Sequence, residues 1–283
     1  MVHLKPMPKA SVLMSSESNI DPPELSIIIP AHNEARRILP YLRKISDYLR
    51  NQGRLYEILV VDDGSTDATA GLVQQFARSA PAIRLILIPT CRGKGAAVRH
   101  GMQEASGHMQ LFTDADGATP IEELSRLEQA LEKGADVAIG SRALATQLPQ
   151  FSVRARRSRS LLRTFFNIVA QRWGLVGIAD TQCGFKLFRK VVAQELFGYA
   201  SIDGFGFDLE VLYLARRRGY RIAEVPVNWS DQPGSKVSVI KDGLAMLRDL
   251  LVVRLNARRG LYDPAARTPG YREKLRQTVE PGL

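Results

Sequence analysis

The chain predicts an α/β fold in which a mostly parallel central sheet carries helices on both faces. Three observations predict it. Short, branched, nearly continuous apolar runs alternate with stretches of helical period. Four consecutive runs empty into polar residues, as strands of an open α/β sheet do beyond their carboxyl ends. The chain has 283 residues, 45% of them hydrophobic and 24% charged, which is ordinary globular composition with enough length for a substantial core.

In chain order, the strand-like runs are LSIII (25–29), EILVV (57–61), IRLILI (83–88), MQLF (109–112) and DVAIG (136–140). Helical patterns over 35–50, 66–79, 95–105 and 120–133 separate them. Strand–helix alternation of this kind makes a parallel sheet with crossover helices. The strand ends then collect on one edge PAHNE (30–34), DDGSTD (62–67), PTCRGKG (89–95) and TDADGAT (113–119). Taken singly, each reads as turn chemistry, and Thr66 or Asp67 as a helix cap. Four together on one edge argue for a ligand site. Asp114 and Asp116 stand one residue apart at the mouth of a hydrophobic sheet. Two acids that close repel each other, and partial burial raises the cost of ionising them, so a positive partner is expected between them.

Bulk properties exclude several classes. Cys91 and Cys183 are the only cysteines, too few for a disulfide framework and without metal-ligand spacing, so a reducing, cytosolic setting is expected. Residues 1–23 lack the apolar core of a secretory signal and read as a mobile leader. No stretch reaches the roughly 18 apolar residues of a membrane span. Charge is unevenly placed: residues 1–142 hold 16 Lys and Arg against 17 Asp and Glu, and residues 143–283 hold 23 against 12. A C-terminal half at net +11 suits an anionic partner, although a solvated basic surface gives the same count. Nucleic acid is the weaker partner, because Arg216–Arg218 lack interleaved aromatics and no nucleic-acid module is present. The Walker spacing is absent from the RGKG loop.

PAHNE, VVDDGSTD, RGKGAAVRHGM, DADGAT, GSR, DTQCGFKLF and FGFDLEVL stand in an order that resembles the family-2 glycosyltransferases with the Rossmann-like GT-A fold. RGKGAAV, DADGAT and DTQCGFK look most like the dolichyl-phosphate β-glucosyltransferases among them. The resemblance covers residues 24–258, divided into a nucleotide-sugar half (24–142) and an acceptor half (143–258), with a tail at 259–283. It implies an inverting hexosyltransferase that moves glucose from a UDP-sugar to a polyprenyl or dolichyl phosphate. Two other enzymes stay open: a soluble transferase acting on glycerate or phosphoglycerate, and a GDP-mannose-dependent polyprenyl-phosphate mannose synthase.

Residue roles follow from the same resemblance. Asp116, with Asp114, would hold Mg²⁺ or Mn²⁺ against the donor diphosphate; these hard ions take one or two protein carboxylates plus phosphate oxygens. Ala115 lies between them on the donor side, and Gly117 leaves room for close backbone approach. Pro30, Ala31, Asn33, Glu34, Asp62 and Asp63 would line the nucleoside end, with Asp63 assigned to the base and Glu34 to the ribose. Arg92 and Lys94 would face the diphosphate ahead of a helix start. Gln182 would close over the sugar with Asp180 and Asp208, the latter two as further catalytic candidates. Arg142 is the expected acceptor-phosphate clamp, joined by Arg156 from the cluster 153–163, with an apolar stripe from Leu161 to Trp173 behind it. A second amphipathic segment, 241–260, carries Leu244, Leu247, Leu251 and Leu255 and reads as an interfacial or a docked helix. A peripheral position on the cytoplasmic face of a membrane follows. The sequence leaves the oligomeric state open.

Overall fold

The computed structural model describes residues 22–154, 171, 175–232 and 239–263. Most of the leader, Arg156 with its neighbouring arginines, the apolar stripe 161–173 apart from Gln171, and the tail from 264 lie outside the described residues.

Residues 25–141 follow the expected alternation. Strands β1 (Leu25–Ala31), β2 (Tyr56–Asp63), β3 (Ile83–Ile88), β4 (Met109–Thr113) and β5 (Val137–Ser141) alternate with helices α1 (Ile38–Asn51), α2 (Thr69–Ala77), α3 (Lys94–Glu104) and α4 (Leu124–Glu132). A one-turn helix α5 (Arg142–Ala145) and a two-residue strand β6 (Val153–Arg154) follow. Beyond them come β7 (Phe185–Arg189), α6 (Lys190–Tyr199), α7 (Phe207–Arg217), β8 (Ile222–Pro226), β9 (Trp229–Ser230) and α8 (Val239–Arg258).

The seven-stranded sheet has the order β3-β2-β1-β4-β7-β5-β8. It is parallel except at β7, which runs antiparallel between β4 and β5. That insertion brings the 180–184 segment to the mouth of β4, where the Asp114 amide donates to Gly184 O at 3.1 Å. No local pattern distinguishes an antiparallel insertion from a parallel strand.

Alternation along the strands builds a core on each face. Ile28, Val61 and Phe112 pack towards α3, α6, α7 and α8, and Ile27, Ile29, Val60 and Leu111 towards α1, α2 and α4. In α1, Ile38, Tyr41, Leu42, Ile45 and Leu49 are buried at helical spacing. Each fully buried Leu, Ile or Phe contributes roughly 1.5–3 kcal/mol relative to exposure. β3 departs from the expectation of burial on both faces: as the edge strand it leaves Leu87 60% exposed.

Helix starts shift for identifiable reasons. α2 begins at Thr69 rather than 66, because the Thr66 and Asp67 amides donate to Asn33 Oδ1 and the Thr69 amide donates to Asp67 Oδ1. Asp67 therefore caps the helix start, as its reading allowed, whereas Thr66 binds Asn33. The 35–37 segment is a turn whose Arg37 and Ile38 amides donate to Glu34 O. In α8 the packed face is Met246, Leu250 and Val253, whereas Leu251 and Leu255, expected in its apolar stripe, are exposed. No described helix is long and apolar enough to cross a membrane.

Candidate active site

The carboxyl ends of β1, β2 and β4 and the first turn of α3 converge on one edge of the sheet. Asn33 adopts a left-handed φ of 55°, a conformation Asn tolerates better than most residues. Its amide donates to Ser65 Oγ at 2.8 Å while its side chain takes the two amides of the β2 loop. Asn33 thus staples two loops together. Glu34 forms a forked pair with Arg37 at 2.6 and 2.7 Å, and Arg37 also lies 3.8 Å from Asp116 Oδ2.

The two β2 acids divide the work differently from expectation. Asp63 accepts the Arg92 and Gly93 amides at 2.9 and 2.8 Å and the Cys91 thiol at 3.4 Å, so it braces the RGKG loop. Asp62 takes the Ser65 amide on Oδ2 at 3.1 Å, and its buried Oδ1 has no hydrogen-bond partner among the described residues. A buried polar atom without a partner calls for an explanation, and a ligand donor supplies one. Asp63, the expected base ligand, thus spends its oxygens on the loop here, and Asp62 offers the open acceptor. Pro30 and Ala31 end β1 alongside, paired with Val61 and Asp62.

Asp114 meets Lys94 Nζ at 2.6 Å; Lys94 is the first residue of α3, and its ammonium lies over the Phe112 ring. Burial draws the Lys94 ammonium down, but Asp114 and Asp208 more than offset it and hold the group above its ordinary value. Asp116 accepts the Ala118 amide at 3.0 Å, and burial together with the neighbouring Asp114 charge pushes its carboxyl above the usual range. Ala115 between them is buried. Gly117, at φ +66°, turns the backbone against the Tyr41 ring, where a Cβ would stand 2.9 Å from Cδ2. Arg92 sits further out, 3.3 Å from Asp203.

On the far side Arg142 pairs with an acid of its own chain. Arg142 Nε and Nη2 grip Asp180 at 2.7 and 2.8 Å, and the Arg142 amide adds a third bond at 2.9 Å. Asp180 is fully buried, and its own amide is held by Glu224. A forked, buried pair of this kind is already satisfied. In this structure Arg142, the expected phosphate clamp, and Asp180, an expected sugar ligand, pair with each other and clasp the 180–184 turn. Gln182 donates its amide to Asp180 Oδ1 and its side chain to Met246 Sδ, both at 3.3 Å. Gly184 closes the turn against Asp114, where any Cβ would collide with the carboxylate. Asp208, at the head of α7, is buried and paired with Lys186.

Arg37 and Lys186 were missed by sequence reasoning. Arg37 carried a weak signal, three residues after Glu34 in PAHNEARR. Lys186 carried one as the only charge inside the FKLF run.

Residues 26–197 match the glycosyl transferase family 2 model. The chain is 36% identical over 263 residues to the dolichyl-phosphate β-glucosyltransferase of Dictyostelium discoideum, covering 88% of this chain and 80% of that one. It is 36% identical over 255 residues to the dolichyl-phosphate β-glucosyltransferase of Saccharomyces cerevisiae, with 84% and 76% covered. Among solved structures, glucosyl-3-phosphoglycerate synthase from Mycobacterium tuberculosis bound to UDP superposes with a TM-score of 0.60 at 20% identity, covering 82% of this chain and 80% of that one. The same enzyme with Mn²⁺, UDP-glucose and phosphoglyceric acid gives 0.58 at 18% identity, covering 82% and 79%. At that identity the likeness shows the GT-A fold alone. With its family model matched over more than half its length and its acidic edge built as described, this chain belongs to glycosyl transferase family 2 and is a glycosyltransferase similar over most of its length to the dolichyl-phosphate β-glucosyltransferases.

Proposed function

We propose that the protein transfers glucose from UDP-glucose to a dolichyl or other polyprenyl phosphate, with inversion at the anomeric carbon. The observation that carries this reading is the charge arrangement at the mouth of β4: Asp114 and Asp116 side by side, with Lys94 and Arg37 against them. The identity to dolichyl-phosphate β-glucosyltransferases supports the sugar and acceptor.

The residues present fit a divalent cation. Two hard carboxylates stand together at this edge, and burial with the neighbouring charge pushes the Asp116 carboxyl up. Asp114 and Asp116 would hold Mg²⁺ or Mn²⁺, which would supply positive charge to the donor diphosphate. The Asp62 Oδ1 acceptor suits the imide N–H of uracil.

The acceptor phosphate has a second pKa near ~6, so at neutral pH it is already a nucleophile and no strong base is needed. One of its oxygens attacks the anomeric carbon, the bond to the diphosphate oxygen breaks, and its electron pair leaves with UDP. Lys94 lends charge to the departing diphosphate, and Asp208 orients the sugar. A peripheral position at a membrane is supported by the outer face of α8, where exposed Leu251 and Leu255 stand among exposed Arg248, Arg258 and Arg259.

Mass analysis of products from UDP-glucose, Mn²⁺ and a polyprenyl phosphate tests this reading. Glucosyl polyprenyl phosphate is the expected product. Transfer to phosphoglycerate instead, or tighter calorimetric binding of GDP than of UDP, would overturn it in favour of the soluble transferase or the mannose synthase.

A further inference from the structure

Lys186 lies in the middle of the sheet on β7, opposite Phe112 of β4. Its side chain is 2% exposed, and its ammonium donates to Asp208 Oδ1 at 2.5 Å and to Cys183 O at 2.7 Å, with the Phe112 ring 5.9 Å away. The strand alternation that puts Phe188 into one core cluster, and Phe185 and Leu187 into the other, turns Lys186 towards the face covered by α3 and α7. Phe112 and Phe207 meet edge to face in the same cluster. This is apolar territory.

An ammonium and a carboxylate buried there lose hydration worth several kcal/mol each, and a well-packed apolar pair of equal volume is often as stable or more so. Stability alone is therefore a weak reason for the pair. Its location suggests another. Asp208 feels two cations, Lys186 in contact and Lys94 through space, and Lys94 is in turn held on Asp114. Cys183, whose carbonyl anchors Lys186, adjoins the Gly184 that backs the Asp114 carboxylate. The buried pair and the acidic edge thus share one turn of chain and one line of alternating charge.

We propose that Lys186 is a positioning residue of the transfer reaction: from within the core it fixes the Asp208 carboxylate at the head of α7, beside Lys94 and the donor's sugar end. It touches no substrate and acts through Asp208. The proposal rests on the functional reading above and adds to it a role for Lys186, the last residue of DTQCGFK.

The test is a double-mutant cycle with Lys186→Met and Asp208→Asn, assayed with UDP-glucose, Mn²⁺ and polyprenyl phosphate. Lys186→Met is expected to lower kcat roughly 10–100-fold, the range for residues that orient a reacting group. The KM for UDP-glucose stays within about threefold, because the contacts of Asp62, Asp63 and Lys94 remain. In the Asp208→Asn background the same substitution changes kcat by less than about twofold, as expected for residues acting as one unit. An undiminished kcat for Lys186→Met, or an equal loss in both backgrounds, would overturn the proposal. Where Lys186→Met does not fold, Lys186→Arg carries the test: it keeps the charge but displaces it, so kcat falls while the thermal midpoint holds, and an unchanged kcat overturns the proposal. Wild-type protein that glucosylates no polyprenyl phosphate sinks the functional reading and this proposal with it.

Discussion

The sheet carries carboxylates at both ends, and the two ends treat them oppositely. At the amino end, Glu57, the second residue of β2, accepts Ser26 Oγ at 2.6 Å and the Ser106 amide and hydroxyl at 2.7 Å each, with Arg84 at 3.5 Å. Burial pushes its carboxyl up, but these donors outweigh burial and hold it below the ordinary range. At the carboxyl end, Asp116 takes one amide and stands beside Asp114, and its carboxyl is held high. A carboxylate with its own full set of donors is part of the scaffold. One that is half-buried beside a second acid, with a single amide donor, is where we propose a ligand to bind.

Asp180 tests how far this contrast reaches, since it belongs to the carboxyl end yet is as well satisfied as Glu57. Asp180→Ala leaves the Arg142 guanidinium buried beneath Trp229 without its partner. The expected loss is about 3–5 kcal/mol, the usual result of breaking a buried pair from one side. Urea unfolding measures it. A loss of activity at unchanged stability would return Asp180 to the catalytic set and erase the distinction.

Asp116→Asn gives the sharpest opposite case. Transfer falls roughly 10²–10³-fold, as for the loss of one electrostatic contact to developing charge, and EDTA has a similar effect on the wild type. The thermal midpoint of the unliganded protein stays level or rises, because a repulsion with Asp114 is removed. A clear drop in midpoint would mean that Asp116 is scaffold after all.

The smallest effect belongs to the amino end. Glu57→Gln costs roughly 1.5–3 kcal/mol at pH 7, the range for hydrogen bonds to a charged group. Because the folded carboxyl lies below its unfolded value of 4.5, this stability is present above that value and is lost as pH falls through the folded one. The wild type and the variant therefore converge in acid. A difference that persists unchanged below pH ~3 would remove ionisation from the explanation.

Legibility in the sequence followed the range of each interaction. β1 to β5 were readable because continuous branched runs bounded by polar turns are local signals, and the acid pair because its residues are adjacent to a strand end. Helix starts were misplaced by up to four residues; at α1 and α2 the competing contacts come from Glu34 and Asn33, hidden in a turn or distant from the helix. The contacts of Asp63 were not readable because the amides that occupy it lie 29 and 30 residues away.

By itself the sequence determined the alternating architecture, the edge on which the polar strand ends collect, and the acids Asp114 and Asp116 that define that edge. Hydrophobic period and turn chemistry act over a few residues, so both are written in the order of the chain. Only the tertiary structure decided that β7 enters the sheet antiparallel, that Arg142 spends its guanidinium on Asp180, and that Lys186 meets Asp208 beneath the site. Those pairs join residues 38 and 22 positions apart. In an apolar interior a charge settles on whichever opposite charge the fold brings within reach, and that choice is made by packing rather than by neighbours in sequence.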